Sequence, residues 1–215
     1  GFNPPHVLTL GLSLPRTQYA TPEAQAAFVA QVMPAIGAVP GVKAVGGTSV
    51  MPFGGSWSTG SFHVEGYTPP ANGSSPWGDI RIVTPGFFAA LQIPLKAGRL
   101  LGAGDDAKAP TVAVVDEEFA KRFFKPGQDP IGRHLYFEDG PITAKTNLIT
   151  IVGVVRHAAH EGLTADKRVQ VYFAVAQAST FGGVGSLQVA VRTAADPRSY
   201  VGAVRRAVQS VDQSM

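Results

Sequence analysis

The sequence predicts an α/β (α+β) fold, in which helices pack on a mixed sheet. A β-α-β pattern opens the chain, a β-α pattern closes it, and 25 Gly and 17 Pro divide the long middle into short strands. Helices and strands in such an order bury their apolar faces best on a shared sheet. We therefore expect the two chain ends to form one subdomain, with a strand-rich region inserted between them.

The opening β-α-β unit has clear start and stop signals. Residues 7–14 (VLTLGLSL) are rich in strand-forming residues. Thr21 suits an N-cap and Pro22 suits the first helical position. Apolar residues then recur at helical spacing at Phe28, Val32 and Ile36. Pro34 is expected to kink or shorten this helix, and residues 42–50 form the second strand.

Short elements fill the middle of the chain after a long loop rich in Gly, Pro and Ser at residues 52–78. Asp116 is predicted to cap a helix in which Phe119 and Phe123 share one face. One or two helical turns are predicted at residues 85–91. The predicted strands are residues 79–83, 93–95, 111–115, 133–137, 148–155 and 169–175.

The closing unit is a strand at residues 187–191 followed by a helix. Asp196 and Pro197 provide the helix start. Four valines spaced three, four and three residues apart then form an apolar stripe for burial against the sheet. These are Val201, Val204, Val208 and Val211.

Composition excludes several classes of function. Hydrophobic residues make up 45% of the chain, enough for a sizeable core. The net charge is +3, and the basic residues are scattered, so no nucleic-acid surface is expected. No Cys occurs, which excludes disulfides and thiolate metal sites. The apolar runs are far shorter than the roughly 20 residues that span a bilayer, so we expect the given polypeptide to be soluble.

Few residues resemble a catalytic or metal site. His157 and His160, followed by Glu161, could share a metal, but no third ligand is evident nearby and a surface loop is the favoured interpretation. Asp105 and Asp106 lack the alternating oxygen ligands of a calcium loop and are expected in a solvated turn. The serines of the long loop, Ser56, Ser58 and Ser61, lack the strand-to-helix turn of a hydrolase nucleophile. We therefore expect no catalytic residue, no metal and no cofactor.

Three aromatic residues in the long loop are the better candidates for function. Phe53, Trp57 and Phe62 lie among Gly and Ser, where they could form an exposed patch for a partner. The alternative is that they fold back onto the core. The turn at residues 182–186 is a second candidate, because loops on a rigid scaffold often carry contacts.

Four segments in order resemble the MacB-like periplasmic core domain. They are residues 83–99 (VTPGFFAALQIPLKAGR), 112–124 (VAVVDEEFAKRFF), 129–137 (DPIGRHLYF) and 150–163 (TIVGVVRHAAHEGL). The chain departs from the usual family pattern at residues 156–159, where many relatives carry Gly-Asp-Val-Arg. The likeness is greatest to the MacB/FtsX-like, duplicated orphan permeases.

This resemblance implies an ectodomain of an ABC transporter permease, placed between two transmembrane helices on the periplasmic side of the inner membrane. It implies a porter-like subdomain made of residues 1–55 and 170–215. A mixed, strand-rich Sabre-like subdomain, residues 56–169, is expected between them.

The resemblance also implies a function without catalysis. Such domains transmit ATP-driven conformational change, called mechanotransmission, and contact substrate or a partner protein. The expected partners are the permease's own transmembrane helices, indirectly the cytoplasmic ATPase subunit, and a second permease copy or a periplasmic protein. The alternative is a free-standing extracytoplasmic binding or assembly module without a transport role. A hydrolytic enzyme is disfavoured, since no nucleophile and base are paired.

Overall fold

A computed structural model describes residues 2–70, 73–160 and 167–215. The helices are α1 (Pro22–Gly37), α2 (Phe87–Leu91), α3 (Glu117–Phe123) and α4 (Val201–Val211), with 3₁₀ turns at Val175–Phe181 and Pro197–Tyr200. The first six strands are β1 (Val7–Ser13), β2 (Val42–Thr48), β3 (Thr59–Ser61), β4 (His63–Val64), β5 (Trp77–Val83) and β6 (Leu95–Gly98). The others are β7 (Val112–Asp116), β8 (His134–Tyr136), β9 (Ile149–Val155), β10 (Gln170–Ala174) and β11 (Ser186–Thr193).

The described residues form one mixed sheet of 11 strands. Its order is β1-β11-β2-β5-β10-β7-β9-β8-β4, with β3 paired to β5 and β6 paired to β9. β10 runs parallel to β5, and β7 runs parallel to β9. The remaining pairs are antiparallel. The predicted α/β class with a mixed sheet is confirmed.

The sheet has two parts joined at a narrow junction. β1, β11 and β2 come from the two chain ends, whereas all the other strands come from the middle of the chain. β2 and β5 are in register only at Thr48 and Val83. Two side chains extend the junction, since Gly47 N donates to Thr84 Oγ1 at 2.8 Å and Ile82 N donates to Ser49 Oγ at 3.0 Å.

Apolar clusters cover both faces of the sheet. α1 and α4 lie over the part made from the chain ends, where Phe28, Val32, Ile36, Val204 and Val208 are buried. The cluster around α2 lies on the opposite face, since Ala190 of β11 belongs to it while Val189 and Val191 face α1 and α4. That cluster also takes Tyr172 and Ala174 from β10, so it crosses the junction.

Most predicted elements are present, with shifted ends. α1 begins at the predicted Thr21 cap, where Ala24 N donates to Thr21 Oγ1 at 3.2 Å. The helix is not shortened at Pro34, because the chain stays helical to Gly37. Its last turn is held by the buried Ile36, and Ala38 N donates to Pro34 O at 2.9 Å. The strand predicted at 93–95 lies at Leu95–Gly98 instead, and the 3₁₀ turn Val175–Phe181 was not predicted.

Thr84→Val tests the junction. The substitution keeps the side-chain shape but leaves the buried Gly47 N–H without its acceptor, which costs roughly 1–3 kcal/mol. We expect a loss of that size in the free energy of unfolding, measured by urea denaturation. Thr59→Val at an exposed position of β3 is the matched control and should change stability by less than about 0.5 kcal/mol. Equal effects of the two variants would contradict a junction role for Thr84.

Candidate functional site

An exposed aromatic surface lies where the loop of residues 52–58 meets the start of β5. Phe53 and Trp57 are 50% and 62% exposed, and Trp77 is 44% exposed. The Arg168 guanidinium lies 4.8 Å from the Trp57 ring centre and 5.6 Å from that of Trp77. Cation–π contacts of this kind contribute about 0.5–1 kcal/mol at exposed sites. We call Phe53, Trp57, Trp77 and Arg168 the aromatic surface.

Phe62 does not belong to this surface. It is only 1% exposed, and its ring centre lies 5.5 Å from Phe119 and 5.7 Å from Phe123. The expectation of a partner contact at Phe62 is therefore corrected. The side chain packs inward because burying a phenylalanine is worth about 2 kcal/mol or more, and α3 offers two rings to pack against.

Buried charges support the aromatic surface from below. The side chains of Asp79 and Arg81 are each 2% exposed and form an ion pair at 3.1 Å between Oδ2 and Nη2. Arg168 Nε contacts the other carboxylate oxygen of Asp79, also at 3.1 Å. Arg81 Nη1 donates to Ser58 O at 2.8 Å, which fixes the end of the loop. Burial lowers the pKa of Arg81, and the charge of Asp79 opposes that effect.

Phe53 is held in an unusual backbone conformation. Its φ is 58°, a left-handed value that costs about 1–2 kcal/mol for a residue other than glycine. Phe53 N donates to His160 O at 2.9 Å, and the Phe53 ring lies 5.8 Å from the Phe2 ring. Strained residues of this kind tend to occur at functional sites.

The N-terminal segment, residues 2–6, is clamped next to α2. Arg192 is 8% exposed and donates to Ala90 O at 2.8 Å, to Pro5 O at 2.9 Å and to Asn3 O. Asn3 N donates to Leu91 O at 2.9 Å. One buried guanidinium thus joins the segment to α2, and we call this arrangement the Arg192 clamp.

An apolar groove connects the clamped segment to the aromatic surface. Its volume is about 590 Å³. The residues that line it include Phe2, Pro4, Met51, Phe53 and Leu91. Phe53 therefore contacts the N-terminal segment on one side and presents half of its surface to solvent.

The two candidate metal-binding histidines have separate structural environments. His157 Nδ1 lies 2.6 Å from Asp116 Oδ2, while Asp116 Oδ1 accepts from Phe119 N at 2.8 Å, which confirms the predicted helix cap. Burial raises the pKa of Asp116, and the hydrogen bond with His157 opposes this rise. Across residues 2–70, 73–160 and 167–215, no three His, Cys, Asp or Glu side chains are arranged to hold a metal. Glu161 lies outside the described residues, and the absence of a metal stays a prediction.

His160 is the more unusual of the two. Its Nε2 atom is buried and has no hydrogen-bond partner. Burial, followed by the nearby charge of Arg81, lowers the pKa of His160 from 6.5 to about 4. His160 is therefore neutral at neutral pH, and through its carbonyl it anchors Phe53.

One other expectation changes with the structure, while the contact role of the turn at residues 182–186 stays a prediction. Asp105 is not in a solvated turn, because it is 4% exposed and pairs with both terminal nitrogens of Arg99 at 2.8 Å. The turn at residues 182–186 is anchored, since the buried Gln25 accepts from Val184 N at 2.8 Å. The serines of the long loop act locally, with Ser58 accepting from Arg81 through its carbonyl.

Sequence reasoning missed Trp77, Asp79, Arg81 and Arg168. The signal for three of them was present in β5, whose sequence is WGDIRIV. Alternate residues of a strand share a face, so Trp77, Asp79 and Arg81 fall on one side. Arg168 had no such signal, because its partners are distant in sequence.

The arrangement as a whole provides anchored aromatic rings and buried ion pairs, with no exposed nucleophile next to a base among the residues described above. The family model for the MacB-like periplasmic core domain matches residues 9–211. The chain belongs to this family. It is the extracytoplasmic domain of an ABC-type permease, a transport component and not an enzyme.

Solved structures agree with this fold. The periplasmic region of MacB from Actinobacillus actinomycetemcomitans aligns with a TM-score of 0.55 and 17% identity over 84% of this chain and 72% of that one. A domain of a putative permease from Porphyromonas gingivalis aligns with a TM-score of 0.52 and 18% identity over 82% and 74%. The extracellular domain of the noncanonic ABC-type transporter YknZ from Gram-positive bacteria gives 0.55 and 12% over 96% and 94%.

No match was found among curated proteins. Within the described ranges, no helix has the length and apolar character needed to cross a membrane.

The depressed pKa of His160 predicts a pH dependence of stability. Between pH 6.5 and about 4 the unfolded chain binds a proton that the folded chain does not, so the free energy of unfolding should fall as the pH falls through this window. His160→Gln removes that titration and should flatten the decline, measured by urea denaturation at pH 7, 6, 5 and 4.5. His6→Gln, at an exposed histidine, is the control. If both variants keep the wild-type pH profile, His160 is not the group responsible.

Proposed function

We propose that this domain transmits ATP-driven conformational change within its permease and contacts substrate or a partner protein through the aromatic surface. The change originates in the cytoplasmic ATPase subunit and reaches the domain through the transmembrane helices of the same permease. The contacted partner is a periplasmic protein or a second permease copy. Membership of the MacB-like family supports a role in a transporter. The contacts of the N-terminal segment support the path by which the change reaches the aromatic surface.

The Arg192 clamp is the observation that carries this proposal. In a permease ectodomain, the segment that precedes β1 is the one expected to lead from a transmembrane helix. Here that segment is bonded to α2 through Arg192 and contacts Phe53 through Phe2. A displacement of the segment therefore has a direct physical path to the exposed rings.

The sheet supports a division into a porter-like and a Sabre-like subdomain, with one adjustment. α1 and α4 pack on strands from the two chain ends, as residues 1–55 and 170–215 require. β10 (Gln170–Ala174), however, lies between β5 and β7. A boundary after Ala174 fits this sheet better than one before Gln170.

The double variant Phe53→Ala, Trp57→Ala tests the contact. In the full-length permease it should abolish complementation of the phenotype caused by deleting the permease gene, because the two most exposed rings of the aromatic surface are lost. ATP binding by the ATPase subunit and thermal unfolding of the domain should stay near wild type, since neither ring is in the core.

The matched control is Leu95→Ala, Ile142→Ala, which removes two side chains that are 40% and 42% exposed elsewhere. It should complement fully. Normal complementation by the Phe53 and Trp57 variant would overturn the proposed contact. Loss of activity in a folded Asp116→Asn protein would instead indicate that a chemical site has been missed.

Arg192→Gln tests the transmission route separately. Without the guanidinium, the Asn3 amide, which donates to Leu91 O, should exchange with solvent at least about tenfold faster, because opening of the segment no longer requires breaking the clamp. Complementation should fall while the aromatic surface stays intact. Arg198→Gln, at an exposed arginine, is the control. If the Asn3 amide exchanges faster and complementation persists, the route does not pass through the clamp.

A further inference from the structure

A cleft of about 560 Å³ lies between α1 and the loop of residues 102–106. Its volume is within the range of about 300–1,000 Å³ that is typical of small-molecule sites. None of the four residues of the aromatic surface lines it. Its lining is mostly apolar and includes Val29, Ala30, Met33, Val45, Ala103 and Val175. We call it the α1 cleft.

The walls of the α1 cleft come from both parts of the sheet. α1 and Val45 of β2 belong to the part made from the chain ends. The loop of residues 102–106 and the connection that follows β5, at Thr84 and Pro85, belong to the middle of the chain. Ligand sites occur preferentially at such boundaries between structural units. A molecule bound in the cleft contacts both parts at once.

The wall opposite α1 is held by its own hydrogen bonds. The Asp105 carboxylate accepts from both terminal nitrogens of Arg99 and, at 2.8 Å, from Gly102 N. Gln177, which is 3% exposed, donates from Nε2 to Asp106 O at 3.1 Å. Because these bonds fix the loop in one conformation, the cleft is formed before a molecule enters it. A preformed site loses little conformational entropy on binding.

The charged groups of the lining are two carboxylates. Among the described residues, Asp105 and Asp106 line the cleft and no Lys, Arg or His does. Arg99 neutralises Asp105, and its hydrogen bonds lower the pKa of that carboxyl. Asp106 Oδ1 accepts from Lys108 N at 2.8 Å and from Ala109 N at 3.0 Å, whereas its Oδ2 forms no hydrogen bond or ion pair within the described ranges. This end of the cleft therefore carries an unbalanced negative charge.

We propose that the α1 cleft is a binding site for a small amphipathic molecule that carries a protonated amine. The apolar body of the molecule lies along Val29, Ala30 and Met33, where water is displaced from hydrocarbon surfaces. Its ammonium group pairs with Asp106 Oδ2, the open acceptor at the end of the cleft. The same carboxylate repels an anionic molecule of equal size. Since the site is separate from the aromatic surface, its test does not depend on the partner contact proposed above.

Three probes with the same eight-carbon chain separate the contribution of the charge from that of the apolar body. They are n-octylamine, 1-octanol and octanoate, titrated calorimetrically into the 215-residue chain at pH 7. We expect saturable binding at one site per chain, with octylamine bound about threefold to fivefold more tightly than octanol, because Asp106 is exposed and its ion pair is partly solvated. Octanoate should bind most weakly.

Two results of these titrations would overturn the proposal. The first is the absence of saturable binding, or tighter binding of octanoate than of octylamine. The second is an octylamine affinity that falls as the protein concentration rises. That result would show that a second copy of the chain, and not a small molecule, occupies the cleft.

Ala30→Trp and Ala27→Trp are a matched pair of variants on α1. Both alanines are exposed, so both variants should fold, which thermal unfolding checks. Ala30 lines the cleft, whereas Ala27 does not. Ala30→Trp should weaken the binding of octylamine and octanol at least about tenfold, because the indole fills the space. Ala27→Trp should bind both as the wild type does, and equal affinities of the two variants would contradict binding in the α1 cleft.

Asp106→Asn tests the pairing with the amine. The side-chain amide keeps an oxygen that can accept from Lys108 N and Ala109 N, so the turn is preserved while the charge is removed. Octylamine and octanol should then bind with equal affinity. Asp129→Asn, at an exposed carboxylate that accepts from Ile131 N, is the control and should keep the preference for octylamine. If Asp106→Asn also keeps that preference, the proposed site is wrong.

Discussion

The two parts of the sheet meet in register at one residue pair, Thr48 and Val83, and the continuity of the sheet depends on the junction around that pair. A single residue pair holds two strands together less strongly than a regular ladder of several pairs. Other interactions must therefore help to join β2 to β5. The hydroxyls of Thr84 and Ser49 accept the amides that β-pairing leaves open. On the α2 face, the backbones come so close that a Cβ on Gly86 would lie 2.0 Å from Val45 O. Close packing and the side-chain hydrogen bonds thus supplement two backbone hydrogen bonds at the junction, from Ser49 N to Ile82 O at 2.8 Å and from Thr84 N to Gly47 O at 2.9 Å.

The second constraint is that each buried carboxylate needs a hydrogen-bond donor or a positively charged partner. Asp116 ends β7 and His157 follows β9, and because these strands are parallel their carboxyl ends meet at one edge of the sheet. A desolvated carboxylate requires a charged or hydrogen-bonding partner. The resulting pair fixes the chain that leaves β9, and three residues after His157 the carbonyl of His160 accepts a hydrogen bond from the Phe53 amide. The position of the exposed Phe53 ring therefore depends in part on the buried hydrogen bond between Asp116 and His157.

The sequence predicted the elements whose signals are local. The Thr21 and Asp116 caps and the strands predicted at 111–115 and 148–155 depend on neighbouring residues, and the structure confirms them with shifted strand ends. The predicted valine stripe of α4 is buried at Val204 and Val208, whereas Val201 is 41% exposed. The sequence did not predict what depends on distant partners. Phe62 looked like its neighbours Phe53 and Trp57, and only the rings of α3 separate it from them. Arg168 bonds to Asp79, which lies 89 residues away in the sequence. Helical and strand periodicity predict contacts only between residues that are close in sequence, so they could not indicate this one.

The proposed transmission would require the N-terminal segment to move its neighbours before it detaches from them. Arg192 bonds to the segment at Pro5 and to α2 at Ala90 from the same buried guanidinium. Hydrogen bonds to a charged group contribute about 1.5–3 kcal/mol each, and leaving the group buried without them costs more. A small displacement of the segment is therefore accommodated at lower free energy by moving α2 with it. Since the cluster around α2 crosses the junction, such a motion would reach both parts of the sheet.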